Sequence, residues 1–280
     1  MTTPTALNSA LPYLACPICE SPLIMDAAAL TCERNHTFNI ARQGYASLLV
    51  GGHSPHLGDT TDMVRARQAF LAAGHYRPIA DAVAEAIPGD SRGLCVDLAG
   101  GTGYYLERVL ELQPSLDGLV LDASVAAVKV AARSHPRIAA ASADAWRALP
   151  VRSGAVGHIL NVFGPRNGPE MRRILEQGGT ALIVTPRPSH LEQLRERLGM
   201  IGIQDAKEDR LDAQLAGLTL AARRTVEYTA AISPSDVFNE VSMGPSAFHV
   251  KPAELEARVQ QLEPETMVTI AVSVSTYRKS

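Results

Sequence analysis

The sequence predicts an α/β fold, a parallel sheet with crossover helices, preceded by a small metal-binding module. Three observations support this prediction. Short apolar runs alternate with amphipathic helical patterns from residue 94 onward, as they do in parallel sheets. A glycine-rich turn over 99–103 follows the first of these runs. Three of the four cysteines lie with a histidine between residues 16 and 36, ahead of the sheet.

Composition and charge fit one large globular domain with a small additional module. The chain has 280 residues, 46% of them hydrophobic, and a net charge of −3. It contains no apolar run near the roughly 18 residues of a membrane span, and residues 1–15 lack the features of a signal peptide. We therefore expect a cytoplasmic protein with no membrane partner. The charge argues against non-specific coating of nucleic acid but allows a local basic patch in a cleft.

Three segments follow from these patterns. Residues 1–50 are rich in turn formers and hold the cysteine cluster, so we predict a zinc-ribbon recognition module there. Residues 51–90 contain a loop, GGHSPHLGD, and then a helical pattern that breaks near Gly74 and restarts after Pro78. Residues 91–280 form the predicted α/β domain.

The first module carries the spacing C-x2-C, twelve residues, then C-x3-H, formed by Cys16, Cys19, Cys32 and His36. Tetrahedral zinc takes four such ligands, and a C-x2-C turn places two thiolates on one ion. A redox role for the first two cysteines would leave the other two residues unexplained, and burial as small apolar side chains is the remaining alternative. We predict one structural Zn²⁺, because four protein ligands leave no open position for catalysis.

Five apolar runs predict the parallel strands, and one late run predicts an antiparallel strand. The five are LCVDLA, GLVLDA, AAASADA, VGHILNVFG and GTALIVTP. The closing MVTIAVSVSTYR alternates and is expected at or near a sheet edge. Between them, HLEQLRERLGM predicts a helix.

A nucleotide-type site is predicted where the first three strands end. The glycine-rich turn by itself is a weak signal. Asp122 ends the second run about twenty residues later, where a carboxylate accepts from both ribose hydroxyls, and Asp144 follows the third, where it accepts from an adenine amino group. Each aspartate alone is more often a cap or turn former. The predicted cofactor residues are Asp97, Ala99, Gly100, Gly101, Thr102, Gly103, Tyr104, Asp122, Ala123, Asp144 and Ala145.

The turn reads A-G-G-T-G after Asp97, unlike the dinucleotide pattern G-x-G-x-x-G. It resembles the first motif of class I, Rossmann-like S-adenosylmethionine-dependent methyltransferases, which implies S-adenosyl-L-methionine as cofactor. In that superfamily the fourth strand ends at the methyl-acceptor contacts, so we predict Asn161, Phe163 and Pro165 there. The alternative is that this segment is only a strand-exit turn. The sequence nominates no general base.

The whole chain resembles the RlmA-type 23S rRNA guanine-N1 methyltransferases, and most of all the actinobacterial branch. The resemblance rests on CPICESPL, TCERNHTFNIARQGYASLL, GDTTDMVRARQAFLAAGHY, VDLAGGTGYYL, LNVFGPRN and MGPSAFH. It implies methylation of guanine N1 in an rRNA hairpin near the peptide exit tunnel. Some members protect their hosts from tylosin- or mycinamicin-like macrolides. The resemblance also implies a homodimer with a cleft for the RNA hairpin.

Basic and aromatic residues around the module are the candidates for RNA contact, although solvated helix faces explain single arginines equally well. For Tyr45, burial against the ribbon is the alternative to RNA contact. Tyr104 and His75 are expected beside the cofactor pocket, with core packing as the alternative. The candidates are Arg34, Arg42, Gln43, Tyr45, Arg65, Arg67, Arg166, Arg172 and Arg173.

Two other functions remain open from the sequence. One is a zinc-ribbon RNA-binding or regulatory protein with an inactive methyltransferase domain, against which the intact glycine turn and acidic strand ends argue. The other is a small-molecule methyltransferase, against which the separate ribbon argues, because a small substrate needs no recognition module.

Overall fold

The computed structural model describes residues 5–51, 58–198, 207–244, 247 and 252–280. The strands are β1 (Leu23–Asp26), β2 (Ala29–Cys32), β3 (Thr37–Asn39), β4 (Ala46–Ser47), β5 (Gly93–Leu98), β6 (Leu116–Asp122), β7 (Ile138–Ser142), β8 (Val156–Val162), β9 (Leu175–Pro186), β10 (Thr219–Ile232) and β11 (Thr266–Arg278). The helices are α1 (Thr5–Ala10), α2 (Thr61–Ala72), α3 (Arg77–Glu85), α4 (Tyr104–Leu112), α5 (Val125–Ala131), α6 (Gly168–Ile174), α7 (Glu192–Leu198), α8 (Lys207–Gln214), α9 (Pro234–Met243) and α10 (Pro252–Val259).

Within these residues the main sheet has the order β10-β11-β9-β8-β5-β6-β7-β4. The pairs among β5 to β9 are parallel, which confirms the five predicted strands. Strands β7 and β8 are buried along their whole length, since helices cover both faces, and this explains why they read as continuous apolar runs. The closing strand β11 is antiparallel to β9, as predicted, and lies second from the edge. The outermost strand, β10, was not predicted as a strand.

The helical pattern after residue 60 becomes two helices. Thr60 caps α2 by accepting a hydrogen bond from the Met63 amide at 3.3 Å. Gly74 follows this helix with φ of +83°, which ends it where the break was predicted. The next helix begins at Arg77 rather than after Pro78, because proline in the first turn needs no amide partner.

The N-terminal module is built into the main sheet. Strands β1, β2 and β3 form an antiparallel ribbon. Strand β4, still within residues 1–50, pairs parallel with β7 through Ala46 opposite Ala141. Buried Leu30 and Phe38 of the ribbon belong to the same apolar cluster as Leu94 and Val151 of the α/β domain. Residues on both sides of the predicted boundary at residue 50 therefore share one apolar core.

Each face of the sheet has its own core. On one face, α2, α3 and α4 contribute Phe70, Ile79 and Leu106. On the other, α1 and α6 contribute Leu7 and Met171 together with the ribbon. Among the described residues, no helix is both long and apolar enough to cross a membrane.

Two sequence predictions lie partly outside the described residues. Positions 52–57 of the predicted GGHSPHLGD loop are one case, and positions 245–246 and 248–249 of MGPSAFH are the other. The predicted helix over 190–200 is observed at Glu192–Leu198, with 199–200 outside the description.

A candidate cofactor and acceptor site behind a metal-binding cluster

The four predicted metal ligands converge on one point. The ligand atoms of Cys16, Cys19, Cys32 and His36 all lie within 4.8 Å of one another. The Cys19 and Cys32 sulfurs are 3.7 Å apart, and His36 Nδ1 lies 3.4 Å from Cys32 Sγ and 3.5 Å from Cys16 Sγ. A tetrahedral zinc with ordinary bond lengths separates two thiolates by about 3.8 Å and a thiolate from an imidazole nitrogen by about 3.6 Å. The donor set and its spacing therefore fit zinc.

Backbone turns hold these ligands in place. The Cys16 amide donates to the Ser21 carbonyl at 2.8 Å, and the Asn35 amide donates to the Cys32 carbonyl at 2.9 Å. Asn35 adopts φ of +61°, a region that asparagine tolerates better than most residues. Hydrogen bonds from Ser21 lower the pKa of the Cys19 thiol to about 6, which favours the thiolate that a metal requires.

The glycine-rich turn passes closely over the end of β5. A side-chain carbon at Gly100 would lie 2.6 Å from Asp97 Cγ, so only glycine fits at this position. Ala99 has φ of +55°, and its amide donates to the Leu121 carbonyl at 2.8 Å. A non-glycine residue in this region is strained, and such strain concentrates at ligand-binding loops.

Asp122 connects the turn to the second strand. Its carboxylate accepts from the Gly101 amide at 2.9 Å and from the Ser124 amide at 2.7 Å. Burial raises its pKa, while these two amides act in the opposite direction. The Ser124 hydroxyl donates to the Asp59 carbonyl at 2.6 Å, so the segment before α2 covers this strand end.

Asp97 is a buried carboxylate whose oxygens have no hydrogen-bond partner among the described residues. Burial raises its pKa, and the neighbouring Asp122 carboxylate raises it further. A buried carboxylate without partners is costly, and a bound cation or hydrogen-bond donor would remove that cost. The ammonium group of S-adenosylmethionine is such a donor, so the orphaned carboxylate fits the predicted cofactor.

Asp144 lies at the third strand end, as predicted. It accepts from the Trp146 amide at 2.9 Å, and the Arg147 guanidinium lies 3.5 Å from it. Arg147 also donates to the Val50 carbonyl at 3.2 Å. Val50 is thus hydrogen-bonded to the loop that carries Asp144, where an adenine is expected.

Asn161 joins the fourth strand to the end of β5. Its amide nitrogen donates to the Leu98 carbonyl at 3.1 Å and to the Pro165 carbonyl at 3.0 Å, and its Oδ1 is buried without a described partner. A side-chain carbon at Gly164 would lie 2.7 Å from Asn161 Nδ2, so the acceptor loop packs directly on the end of β5. The segment that follows β8 is thus fixed against the end of β5.

Phe163 presents an exposed ring between two buried side chains. Its φ is +58°, the second strained non-glycine residue of the site. The ring centroid is 6.0 Å from that of Tyr76 and 5.9 Å from that of His190. The side chains of Tyr76 and His190 therefore pack against the ring at the predicted acceptor position.

Arg67, which was predicted as an RNA contact, makes hydrogen bonds within the protein and lies beside the glycine turn. It donates to Asp59 Oδ2 at 2.7 Å and to the Met243 carbonyl at 2.8 Å. A side-chain carbon at Gly101 would lie 3.5 Å from Arg67 Cδ. A guanidinium beside the glycine turn is suited to a carboxylate such as that of methionine.

Three other predicted residues make contacts within the protein. Tyr45 is buried in the apolar core, the alternative that the sequence left open. Tyr104 packs edge to face on Tyr105, 5.2 Å between centroids, within the same apolar cluster. His75 lies 3.1 Å from Asp236, which links the α2–α3 turn to α9 rather than to the cofactor loop.

The arginines divide into bound and open groups. Arg173 donates to Glu170 at 2.7 Å and to the Val151 carbonyl at 2.8 Å, so it braces the structure. Arg166 donates to Gln214 at 3.1 Å, and burial lowers its pKa. The exposed candidates are Arg34, Arg42, Arg65 and Arg172, with Gln43 partly exposed; of these, Arg65 pairs with Asp62 at 3.2 Å.

Sequence reasoning missed three buried polar residues: Tyr76 and His190, which lie against Phe163, and Glu240 of α9. All are buried, and Glu240 Oε2 has no partner in the described part of the chain. They come from three distant segments, so no local spacing connects them. The glutamate offered one signal, because it stands among Val237, Val241 and Met243 on the apolar face of α9.

Comparison with known proteins gives relatives over nearly the whole chain. Residues 14–51 match the zinc-ribbon family described as RlmA, N-terminal. The 23S rRNA (guanine(748)-N(1))-methyltransferase of Streptomyces fradiae is 44% identical, covering 95% of this chain and 96% of the relative. A protein of Micromonospora griseorubida assigned as a 23S rRNA (guanine-N(1)-)-methyltransferase is also 44% identical, over 96% of this chain and 98% of the relative.

Solved structures share the fold. A methyltransferase chain from the complex with the Haloferax volcanii Trm112 activator aligns with a TM-score of 0.51 at 17% identity, over 79% of this chain and 98% of that one. The YcgJ protein of Bacillus subtilis aligns with a TM-score of 0.51 at 11% identity, over 73% and 99%.

Proposed function

The chain belongs to the family of RlmA-type 23S rRNA (guanine-N1)-methyltransferases, and from this premise we propose that it transfers a methyl group from S-adenosyl-L-methionine to N1 of a guanine in 23S rRNA. The observation that carries the proposal is 44% identity that spans both the ribbon and the α/β domain. The name of the S. fradiae relative supports guanine 748 as the target. The proposed setting of the target is a hairpin loop near the peptide exit tunnel.

In this proposal, the residues at the strand ends hold the cofactor. Asp122 would accept from the ribose hydroxyls, Asp144 from the adenine amino group, and Asp97 from the ammonium group. Arg67 would bind the carboxylate. The cofactor supplies an electrophilic methyl carbon, so the protein's tasks are to align the acceptor and to remove its proton.

The acceptor guanine would lie against Phe163, beside Asn161 and Pro165. The exposed ring offers a stacking surface for a base that has left its own stack. Asn161 fixes the loop to the end of β5 through its two hydrogen bonds, which supports a positioning role in transfer.

The zinc ribbon would recognise the RNA. Arg34 and Arg42 are exposed on it and form no ion pair with the described part of the chain, so they are available to phosphates. Because β4 pairs with β7, the ribbon is rigidly connected to the strand that leads to Asp144. This connection would set the distance between the bound hairpin and the methyl donor.

We further propose a homodimer acting in the cytoplasm, where rRNA is assembled, and protection against macrolides of the tylosin or mycinamicin type. Light scattering of the purified zinc-loaded chain tests the dimer. Growth of a sensitive host with and without the gene, in the presence of each drug, tests protection.

Primer extension on 23S rRNA from cells with and without the gene tests the activity. An N1-methyl group blocks the Watson–Crick edge, so a stop at one guanine is expected only in cells that carry the gene. Cells with Asp122→Asn provide the matched control and should lack the stop. Absence of a stop, with S-adenosylmethionine still bound in calorimetry, would indicate an inactive RNA-binding protein or a small-molecule enzyme instead.

A further inference from the structure

Two aromatic rings are exposed at the edge of the sheet that carries the site. Of the phenylalanine, tyrosine and tryptophan side chains that the structure describes, only Trp146 and Phe163 are exposed, by 65% and 39%. Trp146 follows the carboxyl end of β7, and Phe163 follows that of β8. Parallel strands end at the same edge of a sheet, where ligands bind in folds of this kind. The two rings therefore lie on the edge that also carries the predicted cofactor residues.

The segment that carries Trp146 is held in place by the N-terminal module. The next residue, Arg147, donates from its guanidinium to the Val50 carbonyl at 3.2 Å, at the end of the ribbon. Farther along the segment, the Pro150 carbonyl accepts from the Ala15 amide at 3.0 Å, at the start of the ribbon. The exposed indole is therefore attached to a segment that hydrogen bonds fix on both sides.

The same segment also contacts the acceptor side of the site. Asn167, which follows the acceptor loop (163–166), donates from its side-chain amide to the Arg147 carbonyl at 3.4 Å. Glu170, in the first turn of α6, accepts from the Leu149 amide at 2.7 Å. In the sheet, two strands separate β7 from β8, so the ends of these strands are about 14 Å apart. The segment thus lies between the ribbon and the acceptor loop.

Resting on the proposed function, we propose that the Trp146 indole stacks on a second unpaired base of the RNA hairpin, while the target guanine lies on Phe163. An RNA that is bound by the ribbon and reaches the acceptor loop crosses the segment between them. Unpaired RNA bases stack on exposed aromatic rings, and arginines beside such rings contact phosphates. Arg147, whose side chain is 61% exposed, supplies that cation next to the indole.

The role of Trp146 is to position the substrate. The RNA is held at two bases along one edge of the sheet, and only the base on Phe163 reacts. Trp146 touches no reacting atom and is a positioning residue. The hairpin therefore needs an unpaired nucleotide besides its target, which makes the shape of the loop part of what the enzyme recognises.

The adenine of the cofactor is the competing partner for this ring, because the Trp146 amide donates to Asp144 at 2.9 Å. Exposure distinguishes the two partners. Cofactor sites are concave and enclose most of the ligand surface, so the side chains that line them are recessed. The Asp144 side chain is 11% exposed, as expected in a recess, whereas Trp146 is 65% exposed. The indole therefore fits a surface contact with RNA.

Fluorescence of the full zinc-loaded chain tests the contact directly, because Trp146 is its single tryptophan. The RNA is the 23S rRNA hairpin in which primer extension locates the methylated guanine. We expect this hairpin to quench the emission over the concentration range in which filter binding detects the complex. S-adenosylmethionine alone should leave most of the emission. Binding of the hairpin without quenching, or quenching that S-adenosylmethionine alone completes, would overturn the inference.

Substitutions measure what the stack contributes. Trp146→Ala should weaken hairpin binding about 5- to 150-fold, the range for loss of one base–aromatic stack. It should raise KM by a similar factor and leave kcat within about threefold, because the contact is made equally before and during transfer. Trp146→Phe keeps a ring and should recover most of the affinity. Leu112→Ala removes an exposed apolar side chain at the far end of α4 and should bind like the wild type.

Abasic substitution of the unpaired nucleotides of the hairpin, one at a time, identifies the stacked base. At one position besides the target, the loss of affinity should not add to that of Trp146→Ala, because both changes remove the same contact. Full additivity at every position, or normal binding by Trp146→Ala, would overturn the inference. Should the wild type produce no N1-methylguanine, the proposed function itself would fail, so the two failures are distinguishable.

Discussion

At the scale of single residues, we propose that Asp122 controls the affinity for the cofactor. It accepts from the Gly101 and Ser124 amides and lies where the ribose is expected. In Asp122→Asn the amide nitrogen cannot accept, so one backbone amide loses its partner. We expect affinity for S-adenosylmethionine, measured by calorimetry, to fall about 10- to 100-fold, since hydrogen bonds to a charged group contribute about 1.5–3 kcal/mol. Asp117→Asn, at the other end of β6, should bind normally; equal losses in both variants would contradict the assignment.

Glu240 should make stability depend on pH. Its pKa is raised to about 7 from 4.5, so the folded state binds a proton that the unfolded state has released between these values. Stability from this group is therefore present at low pH and is lost as pH rises through about 7. We expect the free energy of unfolding of Glu240→Gln to exceed that of the wild type at about pH 8 by up to about 3 kcal/mol, and to equal it at about pH 4, below the unfolded-state pKa of 4.5. A constant difference at both values would contradict the shift.

At the scale of elements, the ribbon should respond to metal as part of the whole fold. Removing the zinc ligand in Cys32→Ser should lower zinc content from about one ion per chain to none. Because Leu30 and Phe38 share a core with the sheet, the same variant should also lower the melting temperature of the whole chain. Cys95→Ala, in β5, should keep its zinc. A zinc-free variant with unchanged melting temperature would show that the ribbon folds independently.

Two arginines on different elements should behave in opposite ways. Arg42 is exposed beyond β3, so Arg42→Ala should weaken 23S rRNA binding with little effect on the free energy of unfolding. The slope of log affinity against log salt concentration should decrease by about one, as expected for the loss of one phosphate contact. Arg173, on α6, bonds Glu170 and the carbonyls of Leu149 and Val151. Arg173→Ala should instead destabilise the fold by about 1–3 kcal/mol, because these groups lose a charged partner. Filter binding at several salt concentrations, together with urea unfolding, distinguishes the two.

At the scale of the whole molecule, the N-terminal module cannot be removed cleanly. Deleting residues 1–50 takes away α1, the ribbon and β4, and so exposes the edge of β7 and the apolar face beneath. We expect the truncated chain to be insoluble or unfolded, because uncovered strand edges and apolar faces promote aggregation. Circular dichroism of refolded material checks this. A folded, active fragment would show that residues 1–50 are needed neither for folding nor for activity of the α/β domain.

Much of the architecture could be predicted because local patterns of apolar residues indicate the strands. The five parallel strands followed from apolar runs such as LCVDLA, since burial on both faces leaves no polar alternation. Strand β10 gave no such signal. It lies at the sheet edge and its side chains are mostly exposed, so its composition resembles that of a loop or a helix. Edge strands are defined by a neighbour, which the sequence does not show.

The sequence by itself determined the zinc ligands, the glycine turn and the acidic strand ends, since each depends on a fixed spacing within one short segment. Only the tertiary structure showed which residues from other segments lie next to these features. It placed Arg67 beside the glycine turn, buried Tyr45, and brought Tyr76 and His190 within hydrogen-bond distance although they are 114 residues apart in the chain. Contacts of that kind arise when separate elements pack around one core, and no local pattern of residues encodes them.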